Sequence, residues 1–147
     1  MSARERFAQT RKAVIELNTI KALIMFDGDD WKPSNVRAQG ISDPTAARAI
    51  RNVDEWGERL QELRSRENEL ERFVGVSLAL IQAVRDGLGD DYADILEQRY
   101  IDCFSWRDVE LDGERVPKST GKMKVAIAFD WVDSIGVSRL LKGETEV

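Results

Sequence analysis

Apolar residues recur every three or four positions near the start of the chain, which is the spacing of one face of an α-helix. The residues on this face are Ala13, Val14, Leu17, Ile20, Leu23 and Ile24. The pattern predicts a first helix over residues 4–26. It should stop at Asp27-Gly28-Asp29-Asp30, because Asp and Gly favour turns over helix. Residues 27–42, which include Trp31, are predicted to form a loop.

A longer apolar stripe begins after Asp43 and Pro44, where Asp43 can cap a helix and Pro44 suits the first helical position. The stripe alternates steps of three and four residues through Ala46, Ala49, Val53, Trp56, Leu60, Leu63, Glu67, Leu70, Val74, Ser77, Ile81, Val84 and Leu88. This is heptad spacing, and an unbroken helix over it would be about 65 Å long. Such a helix needs a partner along its stripe. The first helix can fold back as one partner but is only about half as long, so the remaining stripe must meet the C-terminal helices or a second copy of the chain. We predict a helical hairpin or coiled-coil dimerisation region over residues 1–88, and a homodimer formed through the long helix.

The last third of the chain predicts short helices separated by a tight polar turn. A third helix is expected over residues 92–102, and Ser105 can cap a short helix that runs to Leu111. Residues 112–115 would form the turn, and another helix should begin near Pro117. This is the layout of a helix-turn-helix, whose second helix can enter the major groove of DNA. The predicted fold is therefore all-α, with a helix-turn-helix domain over residues 89–143.

Basic residues gather where the last predicted helix begins. Lysines there would pair with DNA phosphates, and Ser, Thr and Met side chains could reach base edges or thymine methyl groups. Two arginines would contact the DNA backbone from the first helix of the motif and from its turn. The residues predicted to face DNA are Arg107, Arg115, Lys118, Ser119, Thr120, Lys122, Met123 and Lys124.

Charge and composition restrict the remaining possibilities. The 147 residues carry a net charge of −5, which argues against DNA binding unless a local basic patch carries it. The lone Cys103 excludes an intramolecular disulfide and fits a reducing cytoplasm. The chain has no histidine, so neither a zinc site nor His-based catalysis is expected.

No enzyme activity, cofactor or metal is predicted, because no nucleophile, base and metal-ligand set converges in the sequence. The pairs Asp29-Asp30 and Asp90-Asp91 are interpreted as turn residues. No apolar run approaches the roughly 20 residues that span a bilayer, and the start lacks the apolar segment of a signal peptide.

Two segments resemble a known family. ILEQRYIDCFSWRDV (residues 95–109) is similar to the part of sigma factor region four in which an Arg-Tyr pair precedes a loop and a Ser-Trp helix start. VPKSTGKMKVAIAFDWV (residues 116–132) is similar to the recognition helix of that family. ISDPTAARAI, which leads into the long charged helix, resembles small phage transcriptional regulators of the ArpU and RinA type. The resemblance implies a phage or prophage regulator that binds double-stranded DNA at promoters in a bacterial cytoplasm, and it leaves open whether RNA polymerase is contacted directly.

The chain departs from this family pattern in the proposed motif. Glu110 stands where the family has Ala, about one extra residue separates Val109 from Pro117, and Gly121 replaces a larger residue inside the recognition helix at a cost of about 1 kcal/mol. These departures and the acidic charge keep two alternatives open. One is a helical assembly or adaptor protein that does not bind DNA, and the other is a small phage packaging subunit similar to a terminase small subunit.

Overall fold

The computed structural model of the chain describes residues 1–30 and 43–143, with side chains described for residues 1–25 and 55–143. The fold is all-α, as predicted, with a small β-hairpin as its only sheet in those ranges. In chain order the elements are α1 Ala3–Asp30, α2 Asp43–Gly87, α3 Asp90–Leu96, a π-helical segment Glu97–Ile101, β1 Glu110–Leu111, β2 Glu114–Arg115, α4 Lys118–Ile135 and α5 Val137–Leu141.

The first helix extends further than its pattern predicts. Helix α1 continues through Asp30, so the predicted stop at Asp27 is wrong and the pair Asp29-Asp30 is helical. The turn preference of Asp and Gly amounts to only about 1 kcal/mol per residue or less, which a helix that is already nucleated can absorb. The rest of the predicted loop, with Trp31, lies outside the described residues. Helix α2 begins at Asp43, as the Asp-Pro signal predicts.

The chain forms two compact units, residues 1–15 with 71–147, and residues 16–70. The first unit includes the start of α1 because Ala3 and Phe7 are fully buried in its core. The core consists of Ala3, Phe7, Leu80, Ile81, Ala83, Val84, Ala93, Ile95, Leu96, Val109, Val125, Ala128, Phe129, Val132, Ile135 and Leu140. It includes the apolar face of α4.

A buried polar pair lies within the first unit where the heptad stripe has a serine. The hydroxyl groups of Thr10 and Ser77 are 2.6 Å apart and fully buried. Thr10 also donates to the carbonyl of Arg6 at 2.8 Å. Each hydroxyl therefore has a partner, which removes most of the cost of burying it.

The second unit combines stretches of α1 and α2. Leu17, Ile20 and Leu70 are buried in it, whereas Trp56, Leu60 and Leu63 of the heptad stripe are half-buried. The guanidinium of Arg66 binds both carboxylate oxygens of Glu16, at 2.9 and 3.1 Å. It also binds Glu69 at 3.0 Å.

The segment predicted as the first helix of the helix-turn-helix, residues 105–111, is instead a turn followed by strand β1, and a β-hairpin spans residues 110–115. Its strands pair Glu110 with Arg115 and Leu111 with Glu114, so that Asp112-Gly113 forms a two-residue loop. Asp112 and Gly113 have φ angles of 55° and 81°, as a type I′ turn requires, and Asp-Gly is a preferred sequence for that turn. The turn chemistry therefore overrides the helical pattern over residues 105–111.

The predicted third helix is also divided. After α3 the backbone widens into the π-helical segment, where the Asp102 N–H donates to the Glu97 carbonyl at 2.9 Å. Cys103 then adopts a positive φ of 61° and reverses the chain. The side-chain amide of Gln98 clamps the hairpin, because it donates to the Glu110 carbonyl at 2.7 Å and accepts from the Glu110 N–H at 2.9 Å.

Candidate nucleic-acid interface

An open groove of about 990 Å³ lies within the first unit, beside the hairpin and the start of α4. Four of its side chains are cationic and one, Asp108, is a carboxylate. The lining residues are Arg99, Ser105, Trp106, Arg107, Asp108, Arg115, Val116, Pro117 and Lys118. The groove lining is therefore net positive, although the whole chain carries a net charge of −5.

The indole of Trp106 is held between α4 and an arginine. The guanidinium carbon of Arg99 lies 4.9 Å from the centre of the indole ring, within cation–π distance. Gly121 of α4 is buried against the indole, and a Cβ at this position would lie 3.1 Å from it. Gly121 thus permits a close approach between helix and ring, which explains a residue that otherwise weakens a helix. Trp106 packs against the core.

A tight turn over residues 105–108 presents Arg107 to solvent. The hydroxyl of Ser105 donates to a carboxylate oxygen of Asp108 at 2.8 Å, and the Asp108 N–H donates to the Ser105 carbonyl at 3.0 Å. Ser105 therefore closes a turn and does not cap the predicted helix. Its bond also occupies one oxygen of the single carboxylate in the groove.

Arg99 is the one cationic side chain of this groove that was not among the predicted DNA-facing residues. One terminal nitrogen of its guanidinium donates to the Phe104 carbonyl at 2.9 Å. Burial and the nearby charge of Arg11 lower the pKa of Arg99, with burial as the larger cause. The sequence carries no local signal for this role, because an arginine on a predicted core face resembles any other amphipathic helix position.

The predicted DNA-facing residues do not all converge. Arg107, Arg115 and Lys118 line the groove, and Ser119, Lys122 and Met123 are exposed along the first turns of α4. Thr120 and Lys124 are half-buried. The ammonium of Lys124 lies 4.7 Å from the centre of the Tyr92 ring, so this lysine is directed toward α3.

The start of α4 also favours an anion. No acidic residue lies in its first turn, and Pro117 provides no side-chain cap for the free N–H groups. The unpaired N–H groups and the helix dipole give this end a partial positive charge. The hairpin has the opposite character, since Glu110, Asp112 and Glu114 are exposed there. Cationic and acidic surfaces therefore lie side by side.

The chain matches no protein-family model, no curated protein and no solved structure. Across the described ranges, no helix has the length and apolar content needed to cross a membrane. In the same part of the chain, no cluster of three or more His, Cys, Asp or Glu side chains could hold a metal ion. Its function has to be argued from the groove.

Proposed function

We propose that the chain binds double-stranded DNA through the groove and the exposed start of α4, and that it regulates transcription of a phage or prophage. The observation that supports DNA binding is the convergence of Arg99, Arg107, Arg115 and Lys118 on one open groove whose only carboxylate is Asp108. Contacts between Lys or Arg side chains and backbone phosphates supply most of the sequence-independent affinity of DNA-binding proteins.

The proposed interface divides its contacts between phosphates and bases. Arg107, Arg115 and Lys118 neutralise backbone phosphates at the mouth of the groove. Ser119, Lys122 and Met123, which are exposed along the following turns, face base edges in the major groove. The acidic hairpin loop at Asp112 points away from the phosphates, because like charges repel there. This requirement sets the orientation of α4 on the duplex.

The regulatory role rests on the resemblance of residues 95–132 to sigma factor region four and to phage regulators of the ArpU and RinA type. It includes action at promoters, where RNA polymerase is a further candidate partner. The homodimer belongs to the same proposal. It is supported by Trp56, Leu60 and Leu63, heptad residues that are only half-buried in one chain, and two copies would place two grooves on one DNA site.

The test is binding of a labelled duplex of mixed sequence at several salt concentrations. The triple variant R107E/R115E/K118E should weaken binding at low salt by at least about tenfold and should lower the slope of log K against log salt by about 0.9 per lost phosphate contact. The matched control is K12E/R72E/K142E, which changes the net charge equally at exposed cations outside the groove. Equal losses in both variants would contradict binding through the groove.

An adaptor role without DNA binding is the second candidate. The observation that favours it is the row of exposed carboxylates on the hairpin, Glu110, Asp112 and Glu114, together with the net charge of −5. It predicts that the folded wild-type chain binds no duplex even at low salt. A ring-sized particle in sedimentation, in place of a dimer, would indicate the packaging alternative.

A further inference from the structure

Two arginines that are distant in sequence converge on one short loop of the first unit. A terminal nitrogen of Arg11, on α1, donates to the Cys103 carbonyl at 3.4 Å. A terminal nitrogen of Arg99 donates to the next carbonyl, that of Phe104, at 2.9 Å. Because these carbonyls belong to consecutive residues, the two guanidinium groups are neighbours. The charge of Arg11 acts on Arg99 strongly enough to lower its pKa, after the larger contribution of burial.

Neither guanidinium has a negative partner within the described residues. Their hydrogen bonds go to uncharged carbonyl oxygens, whereas Arg66 and Arg85 bind carboxylates. The Nε atoms of Arg11 and Arg99 are buried without any hydrogen-bond partner. A guanidinium carries five N–H groups, so most donors of this pair make no hydrogen bond to the described part of the chain. Buried donors without partners are rare in folded proteins, and a bound ion is one of their common explanations.

The loop that holds the two arginines is itself strained. Cys103 has a φ of 61°, a conformation that costs a residue with a side chain roughly 1 kcal/mol or more. Two neighbouring positive charges therefore lie over a strained turn, and their hydrogen bonds go to uncharged carbonyl oxygens. An anion placed between the guanidinium groups would remove their repulsion and accept the free N–H donors.

We propose that Arg11 and Arg99 form a site for a phosphate oxyanion, supplied either by a backbone phosphodiester of DNA or by free phosphate. The planar fork of a guanidinium matches two phosphate oxygens, and two forks can clamp one tetrahedral group. Arg99 also lines the groove, so a duplex seated there would extend its contacts toward α1. The assignment to DNA phosphate rests on the proposed function, whereas the assignment to phosphate itself does not.

The first arm of the test uses inorganic phosphate and the full chain labelled with ¹⁵N. The Nε–Hε signals of Arg11 and Arg99, assigned by their loss in R11K and R99K, should shift saturably with sodium phosphate. The same signals should not shift when sodium chloride is added to equal ionic strength. The Nε–H of Arg66, already bound to Glu16 at 2.9 Å, is the internal control. Shifts of Arg11 and Arg99 no larger than that of Arg66 would overturn the site.

The second arm uses the mixed-sequence duplex with R11Q and R99Q, after thermal unfolding has verified that each variant is folded. Each variant should weaken binding about tenfold, as expected for a charged hydrogen bond, and lower the salt slope by about 1. R11K and R99K keep the charge and should retain most of that slope. A loss of duplex affinity in R11Q alone supports the site even if R99Q is unstable. Arg11 does not line the groove, so its loss tests the Arg11–Arg99 site separately from the groove.

The two arms separate this site from the proposed function. Saturable phosphate shifts without duplex binding would support a site for free phosphate and contradict the DNA-binding proposal. Duplex binding that R107E/R115E/K118E abolishes, with no phosphate shift and unchanged binding by R11Q, would overturn the Arg11–Arg99 site and leave the groove proposal intact.

Discussion

Arg85 and Arg99 are two arginines of the same compact unit with opposite surroundings. Arg85, near the end of α2, binds the carboxylates of Asp90 at 3.1 Å, Asp94 at 2.9 Å and Glu97 at 3.5 Å. These bonds raise the pKa of Arg85, with the hydrogen bond to Asp90 as the largest cause. Arg99 has a carbonyl, an indole ring and a second arginine around it, and its pKa is lowered.

The difference shows that an arginine can tie elements together in two ways. Arg85 joins α2 to α3, and three carboxylates surround its guanidinium group. Few of its N–H donors therefore remain for an external anion. Arg99 joins the π-helical segment to the following turn through uncharged groups, and its charge stays available. A cation that is held firmly but not neutralised is what an anion-binding site requires. Three predictions test this comparison, from the largest expected effect to the smallest.

The largest effect on stability is expected in the aromatic cluster of Phe7, Tyr100 and Phe129, which supports the π-helical segment that carries Arg99. The ring of Phe7 lies 5.6 Å from that of Tyr100 and 5.4 Å from that of Phe129, measured between centroids. Phe7 is fully buried, so Phe7→Ala should lower the free energy of unfolding by about 3–5 kcal/mol. Urea unfolding measures this loss.

Phe7→Leu is the control for that variant, because it keeps most of the buried volume and should cost less than Phe7→Ala. Backbone hydrogen exchange should increase more at Tyr100 than at Arg85. The substitution removes a neighbour of the Tyr100 ring, whereas it leaves the three carboxylates around Arg85 in place. A loss below about 1 kcal/mol for Phe7→Ala would contradict the supporting role of this cluster.

The second prediction compares Arg85→Met with Arg99→Met directly. The carboxylates around Arg85 are 44–76% exposed, so this substitution should cost only about 0.5–1 kcal/mol, and salt should reduce the cost. Arg99→Met loses a hydrogen bond and the cation–π contact, about 1–2 kcal/mol. It also removes repulsion from Arg11, and therefore its cost should increase as salt screens that repulsion.

Urea unfolding of both variants and the wild type over a sodium chloride series measures these costs. The expected signature is a salt dependence of opposite sign for the two substitutions. If the cost of Arg99→Met falls with salt as that of Arg85→Met does, Arg99 has an anionic partner and the comparison fails.

Sequence patterns predict the helices well where many residues share one periodicity. Val125, Ala128, Phe129 and Val132 recur at helical spacing and are buried on one face of α4, and α2 begins at its Asp-Pro signal. The hairpin was missed although Asp112-Gly113 carries its turn signal. Its strands have two residues each, too few to show alternation, and the family resemblance favoured a helix there.

The residues of the candidate site also fall into those that the sequence predicts and those that it does not. Arg107, Arg115 and Lys118 are close in sequence and were predicted together. Arg11 and Cys103 are 92 residues apart, and no local pattern encodes a contact between them. Gly121 was interpreted only as a cost to its helix, because the indole that requires the missing side chain comes from Trp106, outside that helix.

The smallest expected effect concerns a third arginine, Arg66 of the second unit, which is paired but exposed. Its hydrogen bond to Glu16 lowers the pKa of that carboxyl below the ordinary value of 4.5. A carboxyl with a lowered pKa in the folded state stabilises the fold above its ordinary pKa, and this stabilisation is lost as the pH falls through the folded value. The window therefore lies below pH 4.5.

Urea midpoints measured from about pH 3 to about pH 7 check this prediction. The wild type should lose more stability over the acid window than Glu16→Gln, which cannot ionise, and Arg66→Met should behave like Glu16→Gln. Glu62→Gln is the control, because Glu62 is exposed on the same unit and makes no hydrogen bond to the described residues. The effect should be small, since both partners are about half exposed and solvent screens the pair. If Glu16→Gln loses as much stability at acid pH as the wild type, the bidentate pair with Arg66 contributes nothing to stability on this exposed surface. Compensation of an arginine's charge by carboxylates would then matter only where the arginine is partly buried, as Arg85 is.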